Sequence, residues 1–274
     1  MVELAEDSSR RKSDIAALSR ASVGSLITTV AASRVLGLSA RMTSDRLSRL
    51  ARGGWLTRVR RGLYFIVPLD ARSGATTTVE DPWILGTVLF APCYIGGWSA
   101  AEHWGLTEQI FRSTFIATAA NVRRRTETFM GAAFHIVKVN AARLEGATSV
   151  WRGATRVAVS GRERTLVDAA ADPRWIGGTR HLADVIAAYR DSREADPRLL
   201  ATTLERYGTG AAAKRLGFLV EQLWPDAGEV AARAHAMRTT GAIALDPQVR
   251  RRGRLSTRWG LWVNVPVDSA RASA

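Results

Sequence analysis

Seven arginines lie from Arg41 to Arg61, and Asp45 is the only acidic residue among them. A guanidinium group carries a fixed positive charge and a planar fork of N–H donors, which fits phosphate oxygens and the edge of a guanine base. A solvated helix face usually mixes charges of both signs. We therefore interpret this segment as a surface that binds a polyanion, with nucleic acid as the expected partner.

The carboxylates near Arg164 are the strongest candidates for catalysis in the rest of the chain. Glu163 and Asp168 would suit a nuclease that holds a metal ion between acidic side chains. We prefer a structural interpretation, in which Glu163 and Arg164 begin a helix with buried apolar residues and Asp168 pairs locally or caps that helix.

Other reactive residue types give no recognisable site. No two histidines lie three or four residues apart, so no metal site is predicted, and Cys93 lies in an apolar run that predicts a buried, inert thiol. Neither a phosphate-binding glycine loop nor a nucleophile elbow is present. These residue types thus predict no active site, and we expect a protein that is not an enzyme. The four histidines considered above for a metal site are His103, His135, His181 and His235.

The positive charge is concentrated near the N-terminus. The chain has 274 residues and a net charge of +14. Residues 10–64 contain twelve basic and two acidic residues, so +10 of that charge lies there. A composition of 46% hydrophobic residues allows a real core, in one large domain or two ordinary ones.

Three helices and a strand hairpin are predicted before residue 68, an order typical of a winged helix-turn-helix. Ser13 and Ser39 are predicted N-caps, and Gly37 and Gly53 are predicted helix stops. Arg60 and Arg61 join the two strands. The predicted helices and strands cover residues 13–21, 26–37, 38–54, 55–59 and 62–67.

The third predicted helix has a core face and a basic face. Helical spacing places Thr43, Leu47, Leu50 and Ala51 toward the core. Arg41, Ser44 and Arg46 are predicted to contact bases, and the later arginines to contact phosphates. The full set of predicted DNA-binding residues is Ser39, Arg41, Thr43, Ser44, Arg46, Arg49, Arg52, Arg58, Arg60 and Arg61.

The predicted fold class is α+β, with an N-terminal winged helix-turn-helix followed by a larger mixed α/β C-terminal domain. Strands are predicted over 113–118, 133–139, 155–160 and 259–265, and helices over 98–106, 163–171, 179–190, 197–208 and 210–224. The predicted parts are a flexible tail (1–11), the winged helix-turn-helix (12–67), a polar linker (68–80) and the C-terminal domain (81–274).

The sequence gives no sign of export or membrane insertion. Its N-terminus has early acidic residues and no apolar centre, unlike a signal peptide. The uncharged run over residues 82–101 contains prolines and glycines, and we expect it to form folded core. The predicted location is the cytoplasm.

Several phrases along the chain together resemble the AbiEi antitoxins of AbiE (type IV) bacterial toxin–antitoxin systems, and the arginine-rich composition resembles that of actinobacterial members. The phrases, in chain order, are LSRLARGGWLTRVRRGLYFIVP, DPWILGTVLF, YIGGWSAAEHWGLTEQ, ERTLVDAAADPRWIGG, AKRLGFLVEQL, LDPQVRRRG and RWGLWVNV.

This resemblance implies a protein that represses its own promoter through the winged helix, binding double-stranded DNA at inverted repeats. It also implies that the C-terminal domain helps to neutralise a nucleotidyltransferase-type toxin, directly or indirectly, without catalytic residues or a cofactor. Two alternatives remain open. One is a ligand-responsive transcription regulator without a toxin, and the other is a nucleic-acid-processing enzyme with a dispersed site.

Overall fold

A computed structural model of the chain describes residues 2–68, 81–250 and 253–267. The predicted fold class is confirmed, because an N-terminal helix-turn-helix with a small sheet precedes a larger mixed sheet and further helices. The helices are α1 (Val2–Ala21), α2 (Thr29–Leu36), α3 (Ala40–Arg52), α4 (Pro82–Phe90), α5 (Gly97–His103), α6 (Arg162–Ala171), α7 (Thr179–Asp191), α8 (Pro197–Tyr207), α9 (Gly210–Leu223) and α10 (Gly228–Ala236).

The strands form three sheets within the described residues, with the orders β1-β3-β2, β6-β7-β5-β4-β9-β8 and β10-β12-β11. Their bounds are β1 (Leu26–Thr28), β2 (Leu56–Arg60), β3 (Leu63–Ile66), β4 (Cys93–Ile95), β5 (Ser113–Thr118), β6 (Thr126–Phe129), β7 (Ala132–Lys138), β8 (Thr148–Arg152), β9 (Thr155–Val159), β10 (Ile243–Ala244), β11 (Arg254–Ser256) and β12 (Leu261–Val263).

The chain divides into two compact units. The first comprises residues 1–91, 126–134 and 151–157, and the second comprises residues 92–125, 135–150 and 158–274. The predicted boundaries at residues 67 and 81 separate parts of the chain that we expect to fold alone. They remain a proposal. Residues 69–80 of the predicted linker lie outside the described residues.

The winged helix-turn-helix in the first unit has its own hydrophobic core. Leu18 of α1, Leu47 of α3 and Tyr64 of β3 are almost fully buried in one cluster, whose members all lie between Ile15 and Ile66. Strand β3 pairs antiparallel with both β1 and β2. This part of the chain therefore buries its apolar side chains against one another.

Two N-terminal predictions differ from the structure. Helix α1 begins at Val2, so residues 2–11 are helical and Ser13 is not an N-cap. Glu, Leu, Ala and Arg make up six of the ten residues from 2 to 11 and favour helix. Residues 26–28 form β1 rather than the start of α2, because the β-branched Ile27 and Thr28 suit a strand that can pair with β3.

The core of the second unit is built around α6 and α9. Leu166 of α6 and Leu216 of α9 are fully buried there. Arg215 is 6% exposed, and its guanidinium donates to the carbonyl oxygens of Ala170 and Ala171, near the end of α6. A buried cation at this position is favourable because helix carbonyls point toward it.

Most elements predicted after residue 92 are confirmed. Strands β5, β7 and β9 and helices α5 to α9 lie where the sequence places them, within a few residues. Helix α9 approaches Trp259 so closely that a Cβ on Gly217 would lie 2.2 Å from the indole ring. Glycine is therefore required at position 217.

Candidate nucleic-acid interface

Helix α3 starts and ends where its sequence predicts. Gly37 ends α2 with a left-handed φ of 64°, a conformation that favours glycine. Ser39 then caps α3, because its side chain accepts from the backbone N–H of Met42 at 3.4 Å, and Gly53 follows its last turn. The short turn between the two helices fixes the direction of α3 relative to α2.

One face of α3 is buried and the opposite face is exposed, as predicted. Leu47 and Leu50 are at most 3% exposed. The exposed side carries polar and charged residues, and α3 also packs against β2 of the wing. The exposed residues of α3 and the wing that were predicted to bind DNA are Arg41, Ser44, Arg49, Arg52, Arg58, Arg60 and Arg61.

The wing hairpin contains a β-bulge. Arg58 pairs with Tyr64 and Arg60 pairs with Leu63, so Val59 is the extra residue on β2. A bulge bends and twists its strand and changes the direction of nearby side chains. The arginines on either side of it are both exposed.

Six arginines form what we call the free arginine set: Arg41, Arg49, Arg52, Arg58, Arg60 and Arg61. None of the six forms a hydrogen bond or ion pair through its side chain with the residues described in the structure. Their guanidinium groups stay charged at every physiological pH. The set therefore presents positive charges that are not paired with any described residue. Such charges attract the phosphate backbone of nucleic acid.

Two predicted DNA-binding residues are placed elsewhere. Thr43 is fully buried, and its hydroxyl donates to the carbonyl oxygen of Ser39 at 2.9 Å. Arg46 has only 13% of its side chain exposed, and its Nε donates to Asp14 Oδ2 at 2.5 Å. Both residues lie on the side of α3 that faces the core or its edge. A basic or hydroxyl side chain is therefore not enough to predict that a residue of this helix faces the solvent.

An exposed apolar residue next to Arg41 was not among the predicted DNA-binding residues. Met42 is 56% exposed near the start of α3. A methionine on the polar face of an amphipathic helix is the signal that identifies it. Apolar side chains in the major groove contact the thymine methyl group, so Met42 is a further candidate for base recognition.

The carboxylates near Arg164 serve the fold. Asp168 is 1% exposed and accepts hydrogen bonds from the hydroxyl of Tyr94 at 2.8 Å, from Arg164 Nε at 2.9 Å, and from Arg143. Burial, and then the charge of Asp168, raise the pKa of Tyr94. Glu163 accepts from the hydroxyl of Tyr189 at 2.6 Å. Asp168 therefore pairs locally with Arg164 and links α6 to β4 through Tyr94, while Glu163 links α6 to α7 through Tyr189. These contacts agree with the structural interpretation.

The other reactive residues also lack a site within the described part of the chain. No group of three or more His, Cys, Asp and Glu residues lies there in a position to hold a metal ion. Burial raises the pKa of the Cys93 thiol to about 12, so the thiol is protonated at neutral pH. In the same ranges, no helix is both long and apolar enough to cross a membrane.

The match to a known family falls on this interface. Residues 14–67 match the family model described as a transcriptional regulator, AbiEi antitoxin. The match covers the helix-turn-helix and the wing, and it supports a DNA-binding regulator or antitoxin. No curated protein matches the chain.

A solved structure has a similar fold over most of the chain. The crystal structure of the RV2827C protein from Mycobacterium tuberculosis aligns with a TM-score of 0.54 and 19% identity, covering 86% of this chain and 85% of that one. At this identity the likeness shows the fold alone. It extends beyond residues 14–67, to which the AbiEi match is confined.

Proposed function

We propose that the protein binds double-stranded DNA in its own promoter through α3 and the wing and represses transcription there. The observation that carries this proposal is the free arginine set, displayed on a helix-turn-helix that matches AbiEi antitoxin regulators. Helices of this kind enter the major groove, where each base pair has a distinct pattern of donors and acceptors.

Contacts are assigned from position on the helix and wing. Arg41, Met42 and Ser44 lie in the first turns of α3, the part of a recognition helix that reaches base edges. The arginines of the last turn and of the wing are assigned to phosphates, which fix the register of the protein on DNA. These phosphate-binding residues are Arg49, Arg52, Arg58, Arg60 and Arg61.

We also propose that the protein is an antitoxin for a nucleotidyltransferase-type toxin and that the second unit carries this activity. The proposal rests on the resemblance of nearly the whole chain to AbiEi antitoxins, and the AbiEi match of residues 14–67 supports it. Co-expression with the adjacent gene product tests it: growth arrest by that product alone, relieved by this protein, is expected.

A ligand-responsive regulator is a second candidate, because the second unit contains a cavity of about 600 Å³. His181 lines it, is 8% exposed, and has both ring nitrogens buried without a hydrogen-bond partner among the described residues. Buried polar atoms usually have partners. A small molecule that bonds to His181 and changes promoter affinity would favour this candidate over the antitoxin.

A further inference from the structure

A second group of free arginines lies in the second unit. The loop between β5 and β6 carries Arg123, Arg124 and Arg125 in succession, and all three side chains are exposed. Together with Lys138 and Trp175 they line a cavity of about 350 Å³. The cavity has the size of a small ligand site, and its lining is strongly basic.

Two hydrogen bonds fix this loop to strand β7. Lys138 Nζ donates to Asn121 Oδ1 at 2.7 Å, before the arginines. The backbone N–H of Ile136 donates to the carbonyl oxygen of Arg125 at 2.7 Å, at their end. The backbone that carries the three guanidinium groups is therefore held in place before any ligand arrives, which lowers the entropic cost of binding.

The positive charge of the loop is not neutralised by its surroundings. Asp172 is the acidic residue that lines the cavity, and Arg174 donates to both of its carboxylate oxygens at 2.7–3.1 Å. Burial alone would raise the pKa of Asp172, but the bonds from Arg174 and the charge of Arg215 lower it overall. The carboxylate is thus ionised and already paired, and no described acidic residue pairs with the three loop arginines.

His135 adds a neutral polar group to the cavity wall. Its ring lies among aromatic side chains, with centroids 5.0 Å from Trp98 and 5.3 Å from Phe115. Burial, and then the charge of Arg125, lower the pKa of His135, while Asp172 acts in the opposite direction. At neutral pH this imidazole therefore offers one donor and one acceptor beside the cationic loop.

We propose that this cavity binds the phosphate chain of a nucleotide, either a free nucleoside triphosphate or the 5′-triphosphate end of single-stranded RNA. Adjacent phosphates place several negative charges within a short length, and arginine forks bind such oxygens in pairs. The site is concave, whereas duplex DNA presents its phosphates on a convex surface. The cavity shares no residue with the proposed promoter-binding set, and the proposal does not depend on promoter binding.

The test measures binding of two fluorescent probes to the full chain, an ATP analogue and a 5′-triphosphorylated single-stranded RNA. Binding of at least one probe is expected, and the probe that binds identifies the source of the phosphate chain. The triple variant Arg123→Ala, Arg124→Ala, Arg125→Ala should lose at least about tenfold in affinity, because each lost fork removes charge-assisted bonds.

A matched control removes the same charge from exposed positions of the second unit that do not line the cavity. This variant is Arg112→Ala, Arg180→Ala, Arg193→Ala, and it should bind the probe within about twofold of the unchanged protein. Inorganic tripolyphosphate should compete with the probe, and both variants should keep the thermal stability of the unchanged protein.

Three results would overturn the proposal: no binding of either probe, an equal loss in the control variant, or competition by duplex DNA without competition by tripolyphosphate. Promoter affinity is measured in parallel and should be unchanged in the loop variant. Retained nucleotide binding with no promoter binding would leave this proposal standing while the proposed promoter function failed.

Discussion

Arg46 of α3 donates through its Nε atom to Asp14 of α1, so an ion pair joins the candidate recognition helix to the first helix. The two side chains are only 13% and 18% exposed. Arg46 therefore positions α3, although its residue type and location in the sequence suggested a base contact. A positioning role and a base-reading role predict different results for the same substitution.

Arg46→Ala should destabilise the winged helix-turn-helix by about 1–3 kcal/mol, because it leaves the largely buried Asp14 carboxylate without its partner. Chemical denaturation of residues 1–67, which include the whole of α1, measures this. The double variant with Asp14→Ala should be less destabilised than the sum of the single variants. An unchanged stability combined with relaxed base preference would show that Arg46 reads DNA after all.

Arg41→Ala should relax sequence preference at one base position, by about 1–3 kcal/mol if the guanidinium binds guanine through two hydrogen bonds. Affinities for the promoter and for single-base variants of it give the measurement. Arg112→Ala, an exposed change in the second unit, is the charge-matched control. A uniform loss on all sequences would instead assign Arg41 to the phosphates.

Some of these features could be predicted from the sequence better than others. Caps and stops at Ser39 and Gly37 are local signals, so the bounds of α3 were predictable. The short strands β4 and β10 were not predicted, because three and two residues carry too little periodicity and gain stability from long-range pairing. The Arg46–Asp14 contact joins residues 32 positions apart, and only the tertiary structure reveals it.

The second unit should lose stability as the pH falls below about 6.5, the ordinary pKa of histidine in an unfolded chain. Burial lowers the pKa of both His181 and His135 in the folded protein. The unfolded state therefore binds more protons in that range, and the stability present above it is lost on acidification. Thermal unfolding at pH 7.5 and 5.5 should show this decrease.

His181→Phe should reduce that decrease, since it removes one of the two groups. Phe111 contacts the His181 ring, with centroids 5.9 Å apart, and Phe111→Leu provides a control that alters the same contact without removing a titratable group. The control should keep the full pH dependence. Equal stability of the unchanged protein at both pH values would contradict the argument.

Residues 81–274 should fold alone and retain much of the antitoxin activity. The second unit has one hydrophobic cluster around α6 and another around Trp98. Every residue of both clusters lies after residue 92, so removal of the winged helix leaves them complete. Residues 1–67 should fold but bind the promoter weakly, because a single module makes few contacts.

Co-expression of each fragment with the toxin tests this division, with growth and promoter repression scored separately. The C-terminal fragment should rescue growth without repressing the promoter. Rescue by residues 1–67 alone would contradict the assignment of antitoxin activity to the second unit.

The most direct measurement of the central claim is the salt dependence of binding to the protein's own promoter. Each phosphate that the free arginine set neutralises should add about 0.9 to the slope of log affinity against log salt concentration. Arg60→Ala with Arg61→Ala should weaken binding to all sequences about equally and lower the slope by about 1.8. A specific affinity that falls steeply with salt, and a slope that the wing variant lowers, are the predicted results. A salt-independent curve, or no preference for the promoter over unrelated duplex DNA, would contradict the claim.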